Sequence, residues 1–137
     1  NYFDIMNYHP FVDPLKPNAD ELLSSTCKGV SHILEQKGDA HKPVWLTELG
    51  CPGAVVSVRA RGWWFGKNPT EAQQAQWVKK VYEKFLGEKI VHKIFWAFFR
   101  DTPDHFKNGT DYFGLVREDF SRKPAFETYR DVAFKDA

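Results

Sequence analysis

The sequence predicts an α/β domain built on parallel strands, and three observations carry that prediction. Three short apolar runs of strand composition alternate with three segments whose apolar residues recur at helical spacing. Each connection is long enough for a crossover helix, which parallel neighbours require and a tight hairpin does not supply. The third run is apolar through most of its second half, the pattern of a strand covered on both faces. At 137 residues the chain is the size of one domain, and residues 1–137 are read as one.

The first strand covers residues 2–8, with Phe3, Ile5, Asn7 and His9 alternating against Tyr2, Asp4, Met6 and Tyr8. Pro10, Pro14 and Pro17 exclude regular structure after it. Asn18 opens a helix with Glu21 as its capping-box partner. Ala19, Leu22, Leu23, Thr26, Cys27, Val30, Ile33 and Leu34 form that helix's apolar stripe, and Gly38 ends it as the C′ residue. Gly29 in its interior costs roughly 1 kcal/mol relative to Ala, which a close approach to a neighbouring element would justify.

The second strand lies in Lys42-Pro43-Val44-Trp45-Leu46-Thr47-Glu48-Leu49-Gly50 and stops at Gly50 and Pro52. Simple alternation puts Val44, Leu46 and Glu48 on one face and Trp45 and Thr47 on the other. A long loop over residues 51–69 follows, carrying Arg59, Arg61, Trp63, Trp64 and Phe65. Loops of that length in a compact domain are usually functional or disordered, and three consecutive aromatics argue against disorder. Thr70 caps the second helix with Gln73 as reciprocal partner; Ala75, Val78, Val81, Tyr82 and Phe85 form its buried face, and Gly87 ends it. The third strand spans residues 91–99, and Arg100-Asp101 begins a second long loop broken by Pro103, Asn108 and Gly109. Residues 112–116 are a short extended piece. Pro124 starts the last helix, whose contacts are Phe126, Tyr129, Val132 and Ala133.

Composition narrows the function by exclusion. Nineteen Lys and Arg against eighteen Asp and Glu give no basis for nucleic acid or an anionic membrane as partner. No stretch is long and apolar enough to span a bilayer. The first residues, Asn1-Tyr2-Phe3-Asp4, do not resemble a secretory leader, and localisation stays open. Two cysteines make no disulfide framework: Cys27 falls on a helix stripe, and Cys51 sits in a loop where partial exposure is expected. His32, His41, His92 and His105 show no ligand spacing and read as surface residues, and no metal or cofactor motif is present. An aromatic content of 16% fits either a bulky core or a sugar-stacking cleft.

All three strands place their polar or special residues at the C-terminal end: Asn7 and His9, then Glu48, then Trp96 with Arg100 and Asp101. Sites in α/β folds gather at that edge of the sheet. Taken alone, Glu48 is a carboxylate turning into solvent as its strand ends; a glutamate there is costly to bury unless paired or functional.

Three motifs together carry a resemblance: Asp4-Ile5-Met6-Asn7-Tyr8-His9-Pro10-Phe11, the strand ending in Glu48, and Phe95-Trp96 followed by Arg100-Asp101. Downstream, Phe113-Gly114-Leu115 and Lys123-Pro124-Ala125-Phe126-Glu127-Thr128-Tyr129 extend it to about residue 130. The chain resembles the closing third of a clan A glycoside hydrolase, a retaining enzyme on a (β/α)8 barrel, as in families 5 and 39. The resemblance implies a partial TIM barrel running from strand six to helix eight. It also implies that Glu48 is the nucleophile, that His9 lines the sugar site, and that Trp96 is the floor under the sugar being attacked. Asn7, Trp63 and Trp64 are further candidates for substrate binding, the two tryptophans as extended subsites or as a plug against other parts of a barrel. Arg100 and Asp101 either pair with each other or touch substrate.

A retaining glycosidase uses two carboxyl groups about 5–5.5 Å apart. The family's acid/base glutamate follows an asparagine, and no Asn-Glu pair occurs in this chain. Glu118 and Asp119 lie in a polar turn and are expected to be solvated. A full barrel needs about 250 residues. The expectation is therefore a barrel fragment with no turnover of its own, whose partners are a carbohydrate and either a missing N-terminal barrel part or further copies of itself. Open sheet edges and an apolar inner face lined by Ile5, Leu46 and Ile94 would drive that association. The rival reading is a non-catalytic module that self-associates or binds carbohydrate through Trp63, Trp64 and Trp96.

Overall fold

The structure is a computed structural model describing residues 2–54, 68–88 and 90–134. Its centre is a three-stranded parallel sheet of β1 (Met6–Tyr8), β2 (Val44–Leu49) and β3 (Lys93–Trp96), in the order β1-β2-β3. Helix α1 (Ala19–Gln36) connects the first pair and α2 (Glu71–Glu88) the second; α3 (Pro124–Ala133) follows β3 and a 3-10 turn at Gly109–Tyr112. The fold class is α/β, with parallel pairing between the three strands of the sheet. No helix among the described residues is long and apolar enough to cross a membrane.

Register decides which face each strand residue takes. Tyr8, Leu46 and Ile94 lie side by side across the sheet, as do Asn7, Trp45 and Lys93. The first row faces the helices: Leu46 is fully buried with Leu23 and Cys27 of α1 and Val78, Val81 and Phe85 of α2, and Tyr8 and Ile94 pack against that cluster. Leu46 and Ile94 therefore do not line the open face. That face carries the second row, with Trp45 and Phe95 ring to ring at 6.0 Å and Phe95 45% exposed. β3 is thus not covered on both faces among the described residues, since Lys93 and Phe95 are both exposed.

Alternation also fails at the end of β2. The ladder with β3 shifts register between Leu46 and Leu49, so Val44, Leu46 and Leu49 are all buried. The extra residue in this irregularity changes the phase of the strand, and Thr47 and Glu48 both come within reach of His9.

Helix ends follow local chemistry in most places. Gly38, at φ +75°, donates its N–H to Glu35 O, and Asp39 donates to Leu34 O, which closes α1 in a Schellman motif. Thr70 and Gln73 form the reciprocal capping pair at α2. Asn18 departs: it sits left-handed at φ 58° and its side chain caps nothing, so the Asn18–Glu21 box does not form. Gly29 meets no neighbour within 4 Å of where a Cβ would stand, so no close approach justifies it. Leu22 and Ile33 of the expected α1 stripe are exposed, and polar pairs also join α1 to α2: Asp20 pairs with Lys80 at 2.7 Å and Ser24 donates to Glu88 at 2.8 Å.

The third strand is shorter than residues 91–99, and beyond Trp96 the chain passes a cis peptide between Ala97 and Phe98. Residues 112–116 are not a simple extended piece; the 3-10 turn occupies their start, and Val116 bridges Arg100 and Arg122. Cys51 is fully buried rather than partly exposed, and burial pushes its thiol well up; burial likewise raises Cys27, to about 11.

Candidate active site

The carboxyl edge of the sheet gathers the residues with chemistry. β2 is the central strand, and Glu48 leaves its end with the side chain 44% exposed. His9, just past β1, places Nδ1 3.7 Å from Glu48 Oε2 and shares a 2.7 Å hydrogen bond between Nε2 and Thr47 Oγ1. Two adjacent residues of one strand end thus flank the imidazole, Thr47 by a hydrogen bond and Glu48 by a looser approach. Glu48 opens into a cleft of about 350 Å³ lined by Phe11, Phe98, Phe106, Asn108, Thr110 and Phe113. It is the one carboxylate on that lining among the described residues.

The cleft rests on a buried polar layer. Lys123 Nζ lies 2.7 Å from Asp101 Oδ2 and donates to the carbonyls of Gly53, at 2.8 Å, and Tyr112, at 3.0 Å. Asp101 Oδ1 accepts the Gly114 N–H at 2.9 Å, and Gln74 Nε2 donates to the carbonyls of Cys51, Phe113 and Gly114. Burial pushes the Asp101 carboxyl up and the Lys123 ammonium down, and each group opposes the other's shift by its charge and hydrogen bond. Three side chains on different elements thereby tie the loop after β2 to the loop after β3. Gly50 completes the fit: a Cβ there would run into the Ala97 carbonyl and the Phe113 ring.

Of the expected site residues, the structure brings together Glu48 and His9. Asn7 stands on the open face of β1, beside Trp45. Trp96 packs partly buried against the core, and its indole N–H donates to the Phe113 carbonyl at 2.9 Å; it supports the segment that forms the cleft wall and is not on the lining itself. Trp63 and Trp64 lie outside the described residues, as does the rest of their aromatic loop. Arg100 and Asp101 do not pair with each other: Asp101 holds Lys123, while Arg100 sits over the Phe120 ring and donates to the Glu118 carbonyl at 3.3 Å. Glu118, Asp119 and the four remaining histidines are exposed. No cluster of three or more His, Cys, Asp or Glu able to hold a metal occurs among the described residues.

Sequence reasoning missed the Phe98–Phe106 wall and the Lys123–Asp101–Gln74 layer. The Phe98-Phe99 doublet between strand and loop was a signal for the first. Nothing in the sequence distinguishes Lys123 or Gln74 from a surface residue.

No family model matches the chain, and no curated protein matches it. Solved structures do. The chain is similar to a GH5_18 protein of Bifidobacterium longum subsp. longum, solved with Manβ1-4GlcNAc, at 18% identity and TM-score 0.67, over 97% of this chain and 30% of that one. A GH2 β-galacturonidase from Eisenbergiella tayi matches at 16% identity and TM-score 0.68, over 98% and 24%. A GH128 endo-β-1,3-glucanase from Amycolatopsis mediterranei matches at 21% and TM-score 0.62, over 94% and 45%. The chain thus shares the fold of one section of several glycoside hydrolases, and spans less than half the length of each of these three.

Proposed function

We propose that the chain is the C-terminal part, strand six to helix eight, of a TIM-barrel glycoside hydrolase that cleaves its substrate with retention and uses Glu48 as nucleophile. The observation that carries this reading is the placement of Glu48 on the central strand's carboxyl end, held beside His9 and open to a ligand-sized cleft. The likeness in fold to glycoside hydrolases of three families supports it.

In this mechanism the Glu48 carboxylate attacks the anomeric carbon as the bond to the leaving oxygen breaks. A second carboxyl group, on residues outside this chain, protonates that oxygen and then activates the water that releases the sugar. Glu48 must stay ionised to attack. The His9 imidazole stands beside the carboxylate, with Nδ1 3.7 Å from Oε2 and Nε2 hydrogen-bonded to Thr47 Oγ1. The open sheet face with Ile5, Trp45 and Phe95 is covered, in the intact enzyme, by the remaining βα units. Without them and their acid/base, the chain has little or no turnover.

The test is Glu48→Ala in the intact enzyme, assayed on an aryl β-glycoside. Activity should fall on the order of 10⁴-fold or more, the scale set by removing a covalent nucleophile. Added azide should restore turnover by attacking the anomeric carbon in place of Glu48, giving the α-glycosyl azide. Activity that survives the substitution without azide removes Glu48 from the mechanism.

A further inference from the structure

We infer that the aromatic wall beside Glu48 is a binding site for a flat or flexible apolar aglycone, the group released from the sugar, rather than for a second sugar ring. The compound's being a glycoside rests on the reading of Glu48 above; the chemistry of the wall rests on its own geometry.

Rings from separate segments form one continuous row. Phe11 meets Phe113 at 6.0 Å between centroids, Phe113 meets Phe98 at 6.4 Å, Phe98 meets Phe106 at 5.9 Å, and His105 closes the row edge-on to Phe106 at 4.6 Å. Phe98 and Phe106 lie within 12° of parallel, while Phe113 is tilted 41° and 49° to its neighbours. The surface is a shallow cup rather than a flat strip. Phe113 is fully buried and anchors it; Phe98 and Phe106 remain 38% and 46% exposed. Phenyl area turned to water beside a candidate nucleophile is the feature that needs an occupant.

The rim's hydrogen bonding selects that occupant. A sugar ring can stack on a phenyl face, but its hydroxyls need donors and acceptors around the edge. Here Asn108 Oδ1 accepts the Thr110 N–H at 2.8 Å and the Thr110 hydroxyl. Asp111 accepts the Phe106 N–H at 2.7 Å and the Asn108 N–H at 3.3 Å. Of the cleft's three polar lining side chains, Asn108 and Thr110 are joined to each other within the loop, and Glu48 carries the carboxylate that opens into it. A second sugar would exchange hydrogen bonds to water for an apolar surface, whereas an aryl or alkyl group loses none.

The experiment is calorimetric titration of the full chain with alkyl β-glucosides from methyl to hexyl, the sugar held constant. Affinity should tighten about four-fold for each buried methylene. Phe106→Ser should flatten that series while circular dichroism stays unchanged, and Phe98→Ser should do the same. Phe95→Ser, on the open face of the sheet and not on the cleft lining, should leave the series intact. Affinity independent of chain length, or a dependence that survives Phe106→Ser, overturns the assignment. So does a gain for methyl 6-deoxyglucoside over methyl glucoside that Phe106→Ser abolishes, because the wall would then belong to the sugar itself. Glu48→Gln should keep the chain-length series, so a failed wall and a failed nucleophile are read on separate measurements.

Discussion

Lys123 is the residue on which the cleft's geometry depends most, since it is fully buried and joins a carboxylate to two loop carbonyls. Replacing it by Met leaves Asp101 charged and unpaired in the interior, at an expected cost of about 3–5 kcal/mol in urea denaturation. Sign and pH follow from the carboxyl. Burial already raises Asp101, and without Lys123 the rise is larger, so the folded variant binds a proton more tightly than the unfolded chain. The deficit relative to the parent chain should therefore be largest at neutral pH and shrink as pH falls through the raised Asp101 value. A deficit that does not change with pH would place the loss in packing instead. Glu48 and His9 stood out in the sequence because each lies at the C-terminal end of a strand candidate, within a motif that carries the family resemblance. Lys123 was not, because its partner Asp101 lies 22 residues away in sequence and only the fold brings the two together. The place of Trp96 under the sugar is what the resemblance implies; the structure adds that its N–H donates to the Phe113 carbonyl.

Among the elements, α1 offers two glycines with opposite meanings. Gly38 holds a left-handed C′ position with open space around it, so its conformation alone excludes a side chain. Gly29 is mid-helix, exposed and equally open. Gly38→Ala should destabilise by roughly 1–2 kcal/mol, and Gly29→Ala should stabilise by about 0.5–1 kcal/mol, both read from thermal or urea unfolding. The same sign for both would contradict the cap. Helices were legible because caps and 3.6-residue stripes are local. Strand faces were less so: the shift between Leu46 and Leu49 depends on how β2 meets β3, and it put Leu49 on the buried face with Val44 and Leu46 and brought Thr47 beside Glu48 at His9. Asn18 failed as a side-chain cap because its backbone turned left-handed.

For the whole molecule, the helix layer is a complete core on one side of the sheet while Ile5 and Phe95 face outward on the other. That asymmetry, with coverage of under half of each of the three structures described, supports the proposed placement in a larger barrel. The α/β class and strand order were legible because crossover spacing leaves few topologies. Which aromatics would form the cleft was not, because Phe11, Phe98, Phe106 and Phe113 come from separate segments that only the fold brings together. The central claim is that Glu48 takes the glycosyl group. An activated 2-deoxy-2-fluoro-β-glycoside with a dinitrophenyl leaving group departs without acid catalysis, so it isolates the nucleophile's step. Peptide mapping by mass spectrometry after exposure of the intact enzyme should find one fluoroglycosyl adduct, on the peptide containing Glu48 and absent in Glu48→Gln. An adduct on another carboxylate, or steady turnover of the reagent with Glu48 unlabelled, would contradict the account.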